Sequence, residues 1–307
     1  MPKEKIIIIL GPTASGKSEL AVRLAKKFNG EVISADSRQV YKGLDIGSGK
    51  ITQKEMKSTP HHLLNVVSPK KVFTAQDFKK LGQKIISEIR SRKKIPIICG
   101  GTGFYIDALL GVKKIPEILP DWPLRKKLEK KSTEELFRIL KKLDPRRAKN
   151  IDSKNRRRLI RAIEIIKITK KPVPPPFFYG SRRSVRRSAK SKYYEVLFLG
   201  IITHPPEILK KLIEKRVETM IKKGLVKEVK KLRAQSLSWK RISELGFEYK
   251  YPALYLQKKI TKEEMLGSLK KENWRYAKRQ ITWFKRNPKI LWIKSPGQAE
   301  KLIKDFL

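Results

Sequence analysis

Apolar positions along the chain follow two rhythms. Five short runs rich in Ile and Val, at residues 6–10, 32–34, 95–99, 196–202 and 290–293, lack polar alternation. That is the pattern of strands covered on both faces in a parallel sheet. Other stretches repeat apolar residues every three or four positions. Leu20, Leu24 and Phe28 within 18–28, and Phe78, Leu81, Ile85 and Ile89 within 75–92, predict amphipathic helices. Strand and helix alternate, so the fold class expected is α/β.

The rhythm changes at about residue 113. Charged helical patterns at 123–130, 133–143 and 154–168 come without a strand signal and predict a helical insertion. It ends in Pro172, Pro174, Pro175 and Pro176 and a basic, serine-containing run at 181–192, which reads as a mobile loop. The run at 196–202 resumes the sheet, and 206–231 and 261–285 are again helical. The expected organisation is a catalytic core from residues 1–112 and 195–307, interrupted by an all-helical domain over 113–194.

Composition narrows the class. With 307 residues, 39% of them hydrophobic, the chain has enough apolar surface for one large or two modest domains. No apolar run approaches the roughly 20 residues that span a bilayer, and residues 1–5 lead straight into a strand. No membrane segment and a cytoplasmic location are expected. The lone Cys99 cannot form an internal disulfide. His61 and His62 are adjacent, so their side chains point apart, and a structural role is expected rather than metal binding. Lys and Arg total 74 against 29 Asp and Glu, a net charge of +45. Such an excess fits a polyanionic partner, a generally basic proteome or a high-salt niche.

The chemistry starts at Gly11, Pro12, Thr13, Ala14, Ser15, Gly16, Lys17 and Ser18, which fit G-x-x-x-x-G-K-[ST] between a strand and a helix. Such a loop turns backbone N–H groups and a helix N-terminus toward phosphate oxygens. Lys17 adds charge, and Ser18 is the candidate ligand of Mg²⁺. The architecture implied is a P-loop NTPase-like parallel sheet flanked by helices, with the helical insertion. A nucleoside triphosphatase usually adds an apolar strand ending in Asp. Here 95–99 runs instead into Gly100-Gly101-Thr102-Gly103, which argues for a diphosphate leaving group rather than hydrolysis. Asp36 ends the second strand, where ligands of open α/β sheets bind. It is placed to serve as a general base, a loop cap or a Mg²⁺ ligand.

These residues resemble the tRNA dimethylallyltransferase (tRNA isopentenyltransferase) family. The matching stretches are GPTASGKS at Gly11, ISADSRQVYKGLDIGSGK at Ile33, PHHLLN at Pro60, GGTGFYIDALL at Gly100, RRLIRAIEI at Arg157, RVETMIKKGLVKEV at Arg216 and AKRQITWFKR at Ala277. The resemblance implies a P-loop that holds dimethylallyl diphosphate with Mg²⁺. It also implies a tRNA partner whose adenine 3′ of the anticodon is flipped in, so that its exocyclic amine attacks the allylic carbon. By the same resemblance Asp36 is the general base, Ser18 the metal-linked hydroxyl, Thr102 a substrate-positioning residue and Arg216 a clamp on the diphosphate. The tRNA contacts it implies are Asp36, Ser37, Arg38, Gln39, Arg157, Arg158, Arg161, Gly246, Phe247, Lys278, Arg279 and Gln280. Two motifs depart from the family pattern, at Ser153-Lys154-Asn155 and at Asn273-Trp274. A monomer is expected, since one flipped base needs one channel.

Overall fold

The computed structural model describes residues 4–112, 116, 118–174, 194–202 and 204–307. Six strands, β1 (Glu4–Leu10), β2 (Gly30–Ser34), β3 (His61–His62), β4 (Ile95–Gly100), β5 (Tyr194–Ile201) and β6 (Ile290–Ile293), form one sheet. Their order is β3-β2-β4-β1-β5-β6, and every pairing is parallel. β1 lies between β4 and β5, and Ile6, Ile7, Ile8 and Ile9 are fully buried. Each such side chain contributes about 1.5–3 kcal/mol through burial. That is why this run is unbroken by polar residues.

The chain forms two compact units, one of Met1–Val112 with Tyr179–Leu307 and one of Lys113–Phe178. In the first, α1 (Lys17–Lys27), α2 (Gln53–Met56), α3 (Ala75–Ser91) and α4 (Gly103–Leu109) precede the second unit in sequence. α1 buries Leu20 and Leu24 in one core with Ile7, Ile9 and Ile97 of the sheet. α3 starts with a capping box in which Thr74 and Asp77 satisfy each other's backbone N–H.

The second unit holds α5 (Trp122–Glu129), α6 (Thr133–Leu143), α7 (Pro145–Lys149) and α8 (Arg156–Thr169) around a core that includes Leu136, Leu140, Leu159 and Ile163. Glu164 is fully buried there. It accepts hydrogen bonds from Arg125 at 2.7 and 2.8 Å, from the Asp121 backbone at 2.8 Å and from Arg161. The carboxylate thus tolerates burial because every lone pair facing the protein is met. The basic run at 181–192 lies outside the described residues.

The chain then returns to the first unit through α9 (Pro206–Lys222), α10 (Leu225–Ala234), α11 (Trp239–Glu244), α12 (Phe247–Leu256), α13 (Lys262–Phe284) and α14 (Pro296–Phe306). The single helix expected over 206–231 is two, because Gly224 adopts φ +100° between them. β3 was not expected at all. A two-residue strand has no periodicity to detect, and His61 and His62 join the sheet only through pairing with Val32 and Ile33. His62 Nε2 meets Glu31 at 2.7 Å and His61 Nδ1 meets the Thr59 carbonyl at 2.8 Å, a structural use for both rings. Among the described residues no helix is long and apolar enough to cross a membrane.

Candidate active site

Three strand ends converge on one crevice. β1 runs into the P-loop, β2 into Asp36 and β4 into Gly100, and parallel pairing sets Leu10 opposite Gly100 and Ser34 opposite Cys99. Beyond these carboxyl ends, where open α/β sheets bind ligands, lies a cavity of about 290 Å³. Thr13, Lys17 and Ser18 of the P-loop wall it together with Asp36, Ser37, Arg38 and Gln39. Opposite walls carry Arg216 of α9, Gly246, Phe247 and Glu248 at the start of α12, and Tyr276, Arg279 and Gln280 of α13.

The P-loop curls through positive φ at Ala14 (62°) and Gly16 (80°) and opens directly into α1. Lys17 Nζ donates to the Pro12 carbonyl at 3.2 Å, spanning the loop. Burial, the largest influence, holds the Lys17 pKa below its ordinary value. Ser18 is exposed at the cavity. The Ser15 hydroxyl is buried without a hydrogen-bond partner among the described residues.

Arg216 brings a further cation to the cavity that Lys17 lines. Its guanidinium packs so closely on Gly49, itself at φ +57°, that a Cβ there would stand 2.0 Å from Nη2 and displace the guanidinium. Arg216 Nε is buried without a hydrogen-bond partner, and the side chain makes no ion pair among the described residues. Burial works against its charge, while Glu248 and Asp36 favour it. A half-buried guanidinium with an unpartnered Nε, lining a cavity, is an attractor for an anion.

Asp36 is held by its own loop. Oδ1 accepts the Arg38 N–H at 2.8 Å and the Gln39 N–H at 3.3 Å, and Oδ2 makes no hydrogen bond among the described residues. One oxygen is thereby oriented and the other is available to a proton in the cavity. Thr102 stands behind this wall and is not part of it. Its Oγ1 accepts the Ser37 N–H at 3.2 Å, its side chain shares a hydrogen bond with the Tyr276 hydroxyl, and its N–H donates to the Ala35 carbonyl at 3.1 Å. Burial pushes the Cys99 thiol up to about 11, so this cavity residue is no nucleophile.

The residues expected at RNA fall into different environments. Arg157 and Arg158 are exposed on α8, whereas Arg161 is tied to Glu164 and to the Ile118 carbonyl at 3.2 Å. Lys278 and Arg279 are exposed and lie over the rings of Trp274 and Tyr276 at 5.5 and 5.8 Å. Gln39 has its amide occupied by Ser34 (2.9 Å) and the Gly49 carbonyl (3.2 Å). Gln280 is only 5% exposed. Its Oε1 accepts the Thr13 N–H at 2.9 Å and its Nε2 donates to the Gly101 carbonyl at 2.9 Å, clamping the P-loop to the turn after β4.

Glu248 and Tyr276 were not assigned from sequence. An acid directly after Gly246-Phe247, in a chain with few acids, was the available signal for the first. Nothing local distinguishes Tyr276 from a core aromatic.

The family model described as IPP transferase matches residues 39–287, about four-fifths of the chain. A tRNA dimethylallyltransferase of Acetivibrio thermocellus is 40% identical over 99% of this chain and 96% of its own length. One of Carboxydothermus hydrogenoformans is 40% identical over 99% and 96%. Both alignments therefore extend over the P-loop and Asp36, which precede the model match. Among solved structures, the full-length tRNA isopentenylpyrophosphate transferase of Bacillus halodurans superposes with TM-score 0.70 at 37% identity, over 99% of this chain and 95% of that one. A eukaryotic dimethylallyltransferase acting on tRNA superposes with TM-score 0.78 at 27% identity, over 99% and 79%. These neighbours share the P-loop NTPase-like sheet and its flanking helices. Sequence match, whole-chain superposition and a cavity lined by the P-loop agree, and the chain belongs to the IPP transferase family, that of the tRNA dimethylallyltransferases.

Proposed function

We propose that the protein transfers a dimethylallyl group from dimethylallyl diphosphate to the exocyclic N6 amine of the adenine 3′ of the anticodon in tRNA. The observation that carries this reading is the joint presence, in one cavity, of the unpartnered Arg216 guanidinium, the P-loop with Lys17, and an Asp36 oxygen available to a proton. The C–O bond of the allylic ester breaks as the N6–C bond forms. The leaving diphosphate keeps the bonding electrons, and Lys17, Arg216 and the P-loop N–H groups stabilise its charge. The proton lost from N6 passes to Asp36, a general-base role worth roughly 10²–10⁴-fold.

Among the described residues no three or more His, Cys, Asp or Glu gather as a metal cage. A single P-loop hydroxyl, Ser18, suits Mg²⁺, which keeps waters and takes oxygens from substrate phosphates. Mg²⁺ held by Ser18 and the diphosphate would supply further neutralisation of the leaving group. For the RNA, exposed Arg157 and Arg158 of α8 and Lys278 and Arg279 of α13 are our choice of phosphate contacts, with residues 113–194 acting as the RNA-gripping domain.

Incubation with radiolabelled dimethylallyl diphosphate, Mg²⁺ and unmodified tRNA, followed by digestion to nucleosides, tests the proposal. Labelled isopentenyladenosine is expected, and its absence across salt concentrations refutes the reading. Asp36→Asn should lower turnover by roughly 10²-fold or more with RNA affinity nearly unchanged. Lost RNA binding with intact turnover would move Asp36 to recognition.

A further inference from the structure

The cavity contains a second carboxyl that the chemistry above leaves unused. Glu248 follows Phe247 at the start of α12 and faces the same space as Asp36. Among the described residues it makes no ion pair, and its one hydrogen bond is to its own backbone N–H. A Cβ on Gly246 would meet Glu248 Oε2 at 2.9 Å and Arg38 Nε at 3.2 Å, so the two side chains converge above that glycine.

The charged and titratable groups around it come from four elements. Asp36 and Arg38 follow β2, Arg216 belongs to α9, Tyr249 is next along α12, and Tyr276 comes from α13. Burial, reinforced by Asp36, outweighs the two guanidiniums and pushes the Glu248 carboxyl up to about 7. At and below neutrality it is therefore substantially an uncharged acid, with one O–H donor and one C=O acceptor.

Beside it Phe247 and Tyr276 form an edge-to-face pair, with ring centroids 6.1 Å apart and planes at 61°. Both line the cavity, and Arg279 covers the Tyr276 ring. Aromatic rings next to a donor and acceptor pair are the means by which proteins hold and read an unstacked base.

We propose that the Glu248 carboxyl reads the acceptor base, its O–H donating to a ring nitrogen and its C=O accepting one N–H of the exocyclic amine of an adenine. The other amine proton then remains for Asp36, so the two carboxyls divide the two N–H groups between recognition and base catalysis. The pattern is the one with which an Asn or Gln amide pairs with adenine. This inference rests on the adenine-acceptor reading above and names the residue that selects the base.

The test is the pH dependence of kcat/KM for the RNA, at saturating dimethylallyl diphosphate, in wild type, E248Q and E248A. As pH rises through about 7, the wild-type carboxyl loses its O–H donor, and kcat/KM should fall on that limb. E248Q presents the same donor and acceptor without titrating, so it should recover most of what E248A loses and lack the fall above neutrality. E248A should lose roughly 10–100-fold below neutrality, in KM for RNA more than in kcat, and its gap to wild type should narrow as pH rises. Thermal melts and diphosphate affinity of each variant separate this from misfolding. If E248Q is as impaired as E248A, or keeps the wild-type alkaline limb, Glu248 does not read the base. Wild type that transfers no prenyl group to any tRNA would overturn the functional reading itself, a distinct outcome.

Discussion

Arg216→Met should make the free protein more stable and a poorer binder of diphosphate. In the folded chain the guanidinium has a buried Nε without a partner and no ion pair among the described residues. Burying an unsatisfied donor costs about 1–3 kcal/mol. Methionine is unbranched and fills much of the same volume against Gly49, so little packing is lost. Allowing for partial access of the Nη groups to the cavity, the net gain is about 1 kcal/mol, or roughly 1.5 °C in Tm for a chain this long.

With ligand the sign reverses. Losing charge-assisted hydrogen bonds of about 1.5–3 kcal/mol each weakens diphosphate binding by roughly 100-fold. At a concentration 100 times its Kd, diphosphate stabilises wild type by about 2.7 kcal/mol, and the variant by only about 0.4 kcal/mol. Scanning calorimetry of both proteins, with and without inorganic pyrophosphate and Mg²⁺, should give melting curves whose order inverts on adding ligand. A lower Tm for Arg216→Met in the absence of ligand would refute the reasoning, because the guanidinium would then have a stabilising partner in the fold.

Gln280→Ala strips the Thr13 N–H and the Gly101 carbonyl of their partners together. It should cost about 2–4 kcal/mol in urea unfolding and raise KM for dimethylallyl diphosphate. A variant that loses only RNA affinity would return Gln280 to the recognition role suggested by resemblance. Glu31, whose side chain is 3% exposed, predicts an acid sensitivity. Burial pushes its carboxyl up, yet hydrogen bonds from Arg92, His62 and Lys94 prevail and bring it down to about 2. The folded pKa lies below the unfolded value, so the stabilisation, about 3 kcal/mol at most, is complete above pH 4.5 and is lost as pH falls toward 2. Glu31→Gln should flatten that part of the stability–pH curve in denaturant titrations. Arg158→Ala should weaken RNA binding and reduce its salt dependence by about one counterion, as read by filter binding across salt concentrations. An unchanged salt slope would remove Arg158 from the phosphate contacts.

The α/β class, five of the six strands, the P-loop and Asp36 at a strand end were readable from the chain alone, because each depends on neighbours within a few residues. An apolar run of 6–10 has few alternatives to a buried strand, and eight consecutive residues specify a phosphate loop by their own backbone geometry. Tertiary structure decided the rest. β3 exists only through pairing with β2, and the break after α9 comes from the φ of Gly224. Gln280 becomes a clamp because folding brings Thr13 and Gly101 to its amide, from 267 and 179 residues away. Glu248 and Arg216 acquire their character in the same way: their electrostatic surroundings are set by burial and by groups on other elements, and no local pattern encodes that balance.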